Sequence, residues 1–123
     1  MEQQENNRRN YRRGSHFYCD AMVSTDGTHF LPVAVQDLSS GGLQFQAAGG
    51  YEKGQQLSFM LQIQGFLSDF AVKVSGVVRR IDERQGYVLY GVKFLDMPPD
   101  AAIRIDESIQ RDRLVSGMAY ESD

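Results

Sequence analysis

Leu57-Ser58-Phe59-Met60-Leu61-Gln62-Ile63-Gln64 sets Leu57, Phe59, Leu61 and Ile63 against Ser58, Met60, Gln62 and Gln64. That period of two belongs to a strand with one buried face. The same pattern continues on both sides. Toward the C-terminus, Phe70, Val72, Val74, Gly76 and Val78 share one face of a longer strand running to about Asp82. Glu83 to Gly86 turns the chain, and Val88, Tyr90, Val92 and Phe94 then face one way on a last strand. Toward the N-terminus, Ala48 to Gln55 is a Gly-rich turn, preceded by a strand in which Leu43, Phe45 and Ala47 alternate with Gln44 and Gln46. Earlier still, His16 to Ser24 and Phe30 to Gln36 read as two strands, with Pro32 placing part of the second at a sheet edge. Between them, Thr25-Asp26-Gly27-Thr28 predicts a type I′ hairpin turn, which needs positive φ at both central residues. Short strands, frequent glycine turns and no intervening helix indicate an all-β antiparallel barrel or sandwich.

The pattern changes after Asp96. Pro98 and Pro99 suit the first turn of a helix, where a missing N–H costs little. Ala101, Ile105 and Ile109 recur every fourth residue with Arg104, Asp106, Glu107 and Arg111 turned outward, an amphipathic helix of three to four turns. The two ends, residues 1–7 and about 116–123, read as tails.

The chain has 123 residues, 41% hydrophobic and 24% charged, which fits one compact globular domain. A domain of that length buries enough surface to need neither a disulfide nor a metal. Cys19 is the one cysteine, which suits a reducing compartment, and a cytoplasmic location is expected. The polar N-terminus has no apolar core of a secretory signal, and no apolar run approaches the ~20 residues that span a bilayer. A net charge of −3 argues against a general nucleic-acid binder. The charge is uneven, however: Arg8, Arg9, Arg12 and Arg13 fall within six residues, while Asp96 to Asp123 holds seven acidic residues against three arginines. A basic arm on a mildly acidic body points to a local anion site.

Catalysis has little support. His16, His29 and Cys19 offer no orienting group or oxyanion site for a nucleophilic pair, and they fall short of a zinc ligand set. No Walker-type loop or dinucleotide-binding glycine pattern is present. Two other stretches carry more. The arginine cluster is compatible with a solvated basic tail or a membrane-surface patch. It also fits an anion clamp, because guanidinium forks match phosphate oxygens in pairs and read guanine O6 and N7 bidentately. Asp37-Leu38-Ser39-Ser40-Gly41-Gly42 lies between two strands. A plain turn explains it, Asp and Ser bonding their own backbone and glycine supplying positive φ. Equally, a carboxylate accepts from the adjacent N1 and N2 donors of guanine, a serine hydroxyl completes the set, and Gly42 permits close approach of a ligand. Arginine on one guanine edge and aspartate on the other, with phosphate on the same arginines, describes a guanine nucleotide.

These residues resemble the PilZ family. Arg8-Arg9-Asn10-Tyr11-Arg12-Arg13 is similar to its RxxxR arm, with Arg9 and Arg13 as the pair and Arg8 preceding it. Asp37, Ser39 and Gly42 match its [D/N]xSxxG motif, in the family's order, and Tyr90-Gly91-Val92-Lys93-Phe94 before a helix looks like the end of a PilZ domain. The resemblance covers about Arg8 to Val115. It implies a six-stranded antiparallel β-barrel (residues 15–95) with a C-terminal helix (99–115), and an arginine arm (8–13) in front. The implied activity is binding of cyclic di-GMP, without enzymatic chemistry or cofactor; the polar, self-repelling arginine arm is further expected to order on the ligand and so signal to an effector protein. Arg9 and Arg13 would hold phosphates and the O6/N7 edge, with Arg8 assisting; Asp37 and Ser39 would bind the other guanine, beside Ser40, Gly41 and Gly42. Arg8 and Arg12 satisfy the same spacing, so Arg12 is an alternative arm residue. Some family members stack a Trp on a guanine from a later strand; this chain has none and reads Val77-Val78-Arg79-Arg80 there, where Arg79 or Arg80 would either take that place by cation–π contact or form a solvated strand end. Two rival readings are a PilZ-like protein-interaction adaptor that binds no nucleotide and a small nucleic-acid-binding barrel. The second needs basic and aromatic residues across one sheet face, where this chain carries Gln and Ser.

Overall fold

The computed structural model describes residues 18–65 and 68–121, with side chains described for 19–65 and 68–111. Six strands follow one another in the chain: β1 (Tyr18–Ser24), β2 (Leu31–Ser39), β3 (Gly42–Ala47), β4 (Gln56–Gln64), β5 (Asp69–Arg84) and β6 (Tyr87–Phe94). They close into an antiparallel barrel in the order β1-β2-β3-β6-β5-β4. A helix, α1 (Pro99–Glu121), follows.

The period-two face of β4 is the inside of the barrel: Leu57, Phe59, Leu61 and Ile63 are all buried. Facing them are Ala21 and Val23 of β1, Phe45 of β3, Val74 and Val78 of β5, and Tyr90 and Phe94 of β6. Phe45 stacks on Tyr90 at 5.2 Å between ring centres and meets Phe59 edge-on at 5.9 Å. Tyr51, from the loop after β3, closes the cluster edge-on to both Phe45 and Tyr90, and its N–H donates to the Tyr90 hydroxyl. Such aromatic pairs add about 0.5–1.5 kcal/mol each beyond their buried area.

Ala101, Ile105 and Ile109 form the buried stripe of α1, and Ile105 is fully enclosed against the barrel core. Burying one such side chain stabilises the fold by about 1.5–3 kcal/mol. On the flank, Arg104 lies 4.1 Å from the centre of the Phe70 ring and donates to the Ser68 hydroxyl. The helix continues to Glu121, beyond the end at residue 115 that the family resemblance implies. A single glycine, Gly117, costs a helix interior only about 1 kcal/mol and does not stop it.

Three local expectations are corrected. The first is the Thr25–Thr28 turn. Only Gly27 has positive φ (81°), so the type I′ turn does not form, and the last β1–β2 pair is Val23 with Leu31. Asp26 decides this. Its carboxylate accepts from the Ser24 hydroxyl and from the N–H groups of Thr28 and His29, drawing residues 24–30 into a wider loop. The His29 ring and backbone, followed by Thr28 and Ser24, hold the Asp26 carboxyl well below the usual carboxylate range. The second is β2, which begins at Leu31 and includes Asp37, Leu38 and Ser39; only Ser40 and Gly41 turn. Pro32 does lie where β2 pairs with β1 alone, since pairing with β3 starts at Ala34. The third is β5, which runs to Arg84 and leaves a two-residue turn, Gln85-Gly86, with positive φ only at Gly86.

Cys19 is buried at the start of β1. Burial, then the neighbouring Asp20 charge, pushes its thiol up to about 12 from 9.0. The thiolate is the reactive form. Iodoacetamide at pH 8 is therefore expected to leave the folded chain unmodified over a time that fully alkylates the urea-unfolded chain. Equal rates in the two states would contradict this placement of Cys19.

Candidate functional site

Two β-bulges shape the outside of the barrel. In β2 the register shifts between Val35 and Asp37, so Gln36 is an extra residue. Strict alternation from buried Val35 would turn Asp37 and Ser39 into the core; with the bulge the next buried residue is Leu38, and Asp37 and Ser39 are exposed. In β5 the register shifts between Val78 and Arg80, making Arg79 the extra residue. Alternation from buried Val78 would send Arg80 inward, but both arginines are exposed and Ile81 takes the next inward place.

Cross-strand register then assembles the site in rows over β2, β3, β6 and β5. The middle row, Leu38–Leu43–Val92–Val78, is buried throughout. On its outer side lie two flanking rows, Asp37–Gln44–Gly91–Arg80 and Ser39–Gly42–Lys93–Val77. They are two residues apart along β2, β3 and β6, ~6.7 Å, and three apart along β5, where the Arg79 bulge intervenes; three strand spacings separate Asp37 from Arg80, roughly 14 Å along the sheet. Each row contains one glycine, and these bare positions form the floor of an open groove of about 500 Å3. Its lining comprises Asp37, Leu38, Ser39, Gly41, Gly42, Leu43, Gln44, Arg79, Arg80, Gly91, Val92 and Lys93.

The polar groups are held by their own backbone. Asp37 Oδ1 accepts the Leu38 N–H at 2.9 Å, and among the described residues its other carboxylate oxygen has no hydrogen-bond partner. The Ser39 hydroxyl accepts the Gly41 N–H at 3.2 Å and donates to the Gly42 carbonyl at 3.4 Å. Across the groove, the Arg80 side chain lies along the Gly91 backbone, where an added Cβ would meet Arg80 Cβ at 3.4 Å and Nε at 3.7 Å. Asp82 takes two N–H bonds from Arg84, at 3.0 and 2.7 Å, which first of all hold its carboxyl below the ordinary value. Arg80 adds to that shift only through its charge.

Glycine at position 42 has a steric cause that neither sequence-based account gave. Neither Gly41 nor Gly42 has positive φ, and a Cβ on Gly42 would fall on the Val92 carbonyl oxygen of β6. The close approach that Gly42 permits is first that of a neighbouring strand.

Of the residues singled out from sequence, Asp37, Ser39, Gly41, Gly42, Arg79 and Arg80 line one groove, and Ser40 sits in the adjoining turn without lining it. Arg8, Arg9, Arg12 and Arg13 lie outside the described residues. Gln44, Gly91 and Lys93 line the groove without having been identified as site residues. Their outward phase was readable on β3 and β6, but the pairing of those two non-consecutive strands was not.

The sequence matches the PilZ domain family over residues 6–111. The chain belongs to the PilZ family. Solved structures share this barrel. The Bacillus subtilis inhibitor of motility (MotI/DgrA) superposes with a TM-score of 0.64 at 16% identity, over 81% of this chain and 51% of that one. Escherichia coli YcgR in complex with c-di-GMP gives 0.63 at 17% identity, over 91% of this chain and 51% of that one. The PilZ domain of YcgR with c-di-GMP gives 0.61 at 14% identity, over 91% and 99%. This PilZ chain spans about half the length of the first two proteins, 51% of each. No curated protein matches it in sequence. No helix among the described residues is long and apolar enough to cross a membrane.

The steric origin of Gly42 is directly testable in this PilZ barrel. Gly42→Ala is expected to destabilise it by roughly 1–3 kcal/mol, because a backbone carbonyl cannot move aside as a side chain does. At Gly41 the nearest atom to an added Cβ is Ser39 Oγ at 3.9 Å, so Gly41→Ala is expected to change stability by less than about 1 kcal/mol. Urea denaturation of both variants provides the comparison.

Proposed function

We propose that this PilZ domain is a receptor for cyclic di-GMP and not an enzyme, signalling by a change of shape to an effector protein. The observation that carries this is the groove: a carboxylate and a hydroxyl (Asp37, Ser39) on one side, arginines (Arg79, Arg80) on the other, and a glycine-backed floor between. Asp37 accepts the N1 and N2 protons of a guanine, one on each carboxylate oxygen, Oδ1 keeping a lone pair beside the Leu38 N–H, while Ser39, Gly41 and Gly42 border the same base. Arg80, lying along Gly91, offers a guanidinium plane for stacking in place of the Trp used elsewhere in the family, and Arg79 stands beside it. Complexes of YcgR with c-di-GMP, built on the same fold, support the choice of ligand.

In this reading the functional unit is 8–115 and acts in the cytoplasm. Arg9 and Arg13, with Arg8 assisting and Arg12 as the alternative partner, hold the phosphates and the O6/N7 edge of guanine. Four guanidinium groups within six residues repel one another, by roughly 0.5 kcal/mol per pair at ~8 Å in water, and a doubly anionic ligand offsets that repulsion. The arm is drawn over the groove and creates the surface the effector reads.

Calorimetric titration of cyclic di-GMP is expected to give micromolar or tighter binding. Asp37→Ala should weaken it about tenfold or more, the range of a hydrogen bond to a charged group, and Arg9→Ala/Arg13→Ala should abolish it. No binding by the unaltered chain would overturn the receptor reading in favour of an adaptor that works through protein contacts alone. Arm ordering has its own measurement. Trypsin cleavage after the arm arginines should slow when ligand is added, and an equal cleavage rate with and without ligand would contradict it.

A further inference from the structure

The groove brings three cations, Arg79, Arg80 and Lys93, to the same surface as one carboxylate, Asp37, a surplus of two positive charges before the arm is counted. Lys93 belongs to neither sequence motif. It reaches the groove because β6 pairs with β3, which places it directly across from Gly42 in the row Ser39–Gly42–Lys93–Val77. Gly42 has no side chain to cover it, Lys93 is exposed, and among the described residues it forms no ion pair.

We infer that Lys93 is an anion-binding residue of the groove and takes a phosphate of the bound nucleotide, an inference that rests on the receptor reading. The chemistry assigns it to phosphate rather than to a base edge. An ammonium is a compact charge on a flexible stem, suited to a single phosphate oxygen, and it lacks the planar fork with which an arginine reads a base edge or stacks on a base face. Lys93 thus sits between the two base-contacting ends: Ser39 is two positions away in its own row, and Arg80 lies in the neighbouring row beyond Gly91. It supplies positive charge from the barrel itself. Lys73 provides a matched contrast. It is also an exposed lysine on the outer surface, but it pairs with Met60 of β4, away from the groove.

The test is titration of cyclic di-GMP into the full chain and into Lys93→Met, Lys93→Arg and Lys73→Met at low and high salt, with melting temperatures for each. Lys93→Met is expected to bind about tenfold more weakly, the lower end for an exposed charge-assisted bond, with its melting temperature unchanged. The loss should shrink at high salt, because screening acts on an exposed charge pair. Lys93→Arg should recover most of the affinity, and Lys73→Met should match the unaltered chain. If the unaltered chain binds and Lys93→Met binds equally well, the role of Lys93 is overturned and the receptor reading stands. An equal loss in Lys73→Met would also overturn it, by reducing the effect to net charge. If the unaltered chain does not bind, the receptor reading fails and Lys93 loses its role with it.

Discussion

A strand presents alternate residues to opposite faces, and a closed barrel has a single interior, so each strand must keep its phase or shift it at a bulge. The site depends on two such shifts, at Gln36 in β2 and at Arg79 in β5. Each converts an i, i+2 succession of inward residues into i, i+3: Val35 to Leu38 and Val78 to Ile81. Without them, Asp37, Ser39 and Arg80 would be directed into an interior filled by Phe45, Phe59 and Tyr90. Burying unpaired charges there would cost several kcal/mol each. The bulges reconcile a continuous apolar core with a polar outer surface on the same strands.

The groove between those polar groups is a consequence of packing as much as of ligand chemistry. Gly42 is glycine because β6 passes where a Cβ would stand, and at Gly91 the missing Cβ leaves the Arg80 side chain lying along the backbone. The floor is therefore backbone over a fully buried row, Leu38–Leu43–Val92–Val78. A floor so anchored holds its shape without a ligand, and the groups at its margins are positioned by strand register rather than by flexible loops. That makes them suited to recognition.

Much of the barrel could be read directly from local pattern. In β4, β3 and β6 the apolar alternation matches the buried face, from Leu57 to Ile63, at Leu43 and Phe45, and from Tyr90 to Phe94. The helix stripe Ala101, Ile105 and Ile109 is likewise the buried one. Local chemistry misled where a side chain competed with the backbone: the Asp26 carboxylate gathers three donors and opens a wider loop than Asp-Gly alone predicts. Asp37, Ser39, Arg79 and Arg80 were all identified from sequence, but they lie on separate segments that only the family resemblance joined; the register that sets them along one groove was not visible there.

The sequence by itself determined how many strands the chain makes, which face of most of them is apolar, where the helix starts and which family motifs it carries. These are properties of neighbouring residues, and a period of two or of nearly four expresses them within a single segment. Tertiary structure alone decided that β6 lies between β3 and β5, that Gly42 faces Val92, and that Lys93 stands beside Gly42. No local pattern encodes which distant strand becomes a neighbour or in what register. Closure of the barrel sets both, through the one arrangement that buries every apolar face while the bulges at Gln36 and Arg79 keep the charged residues outside.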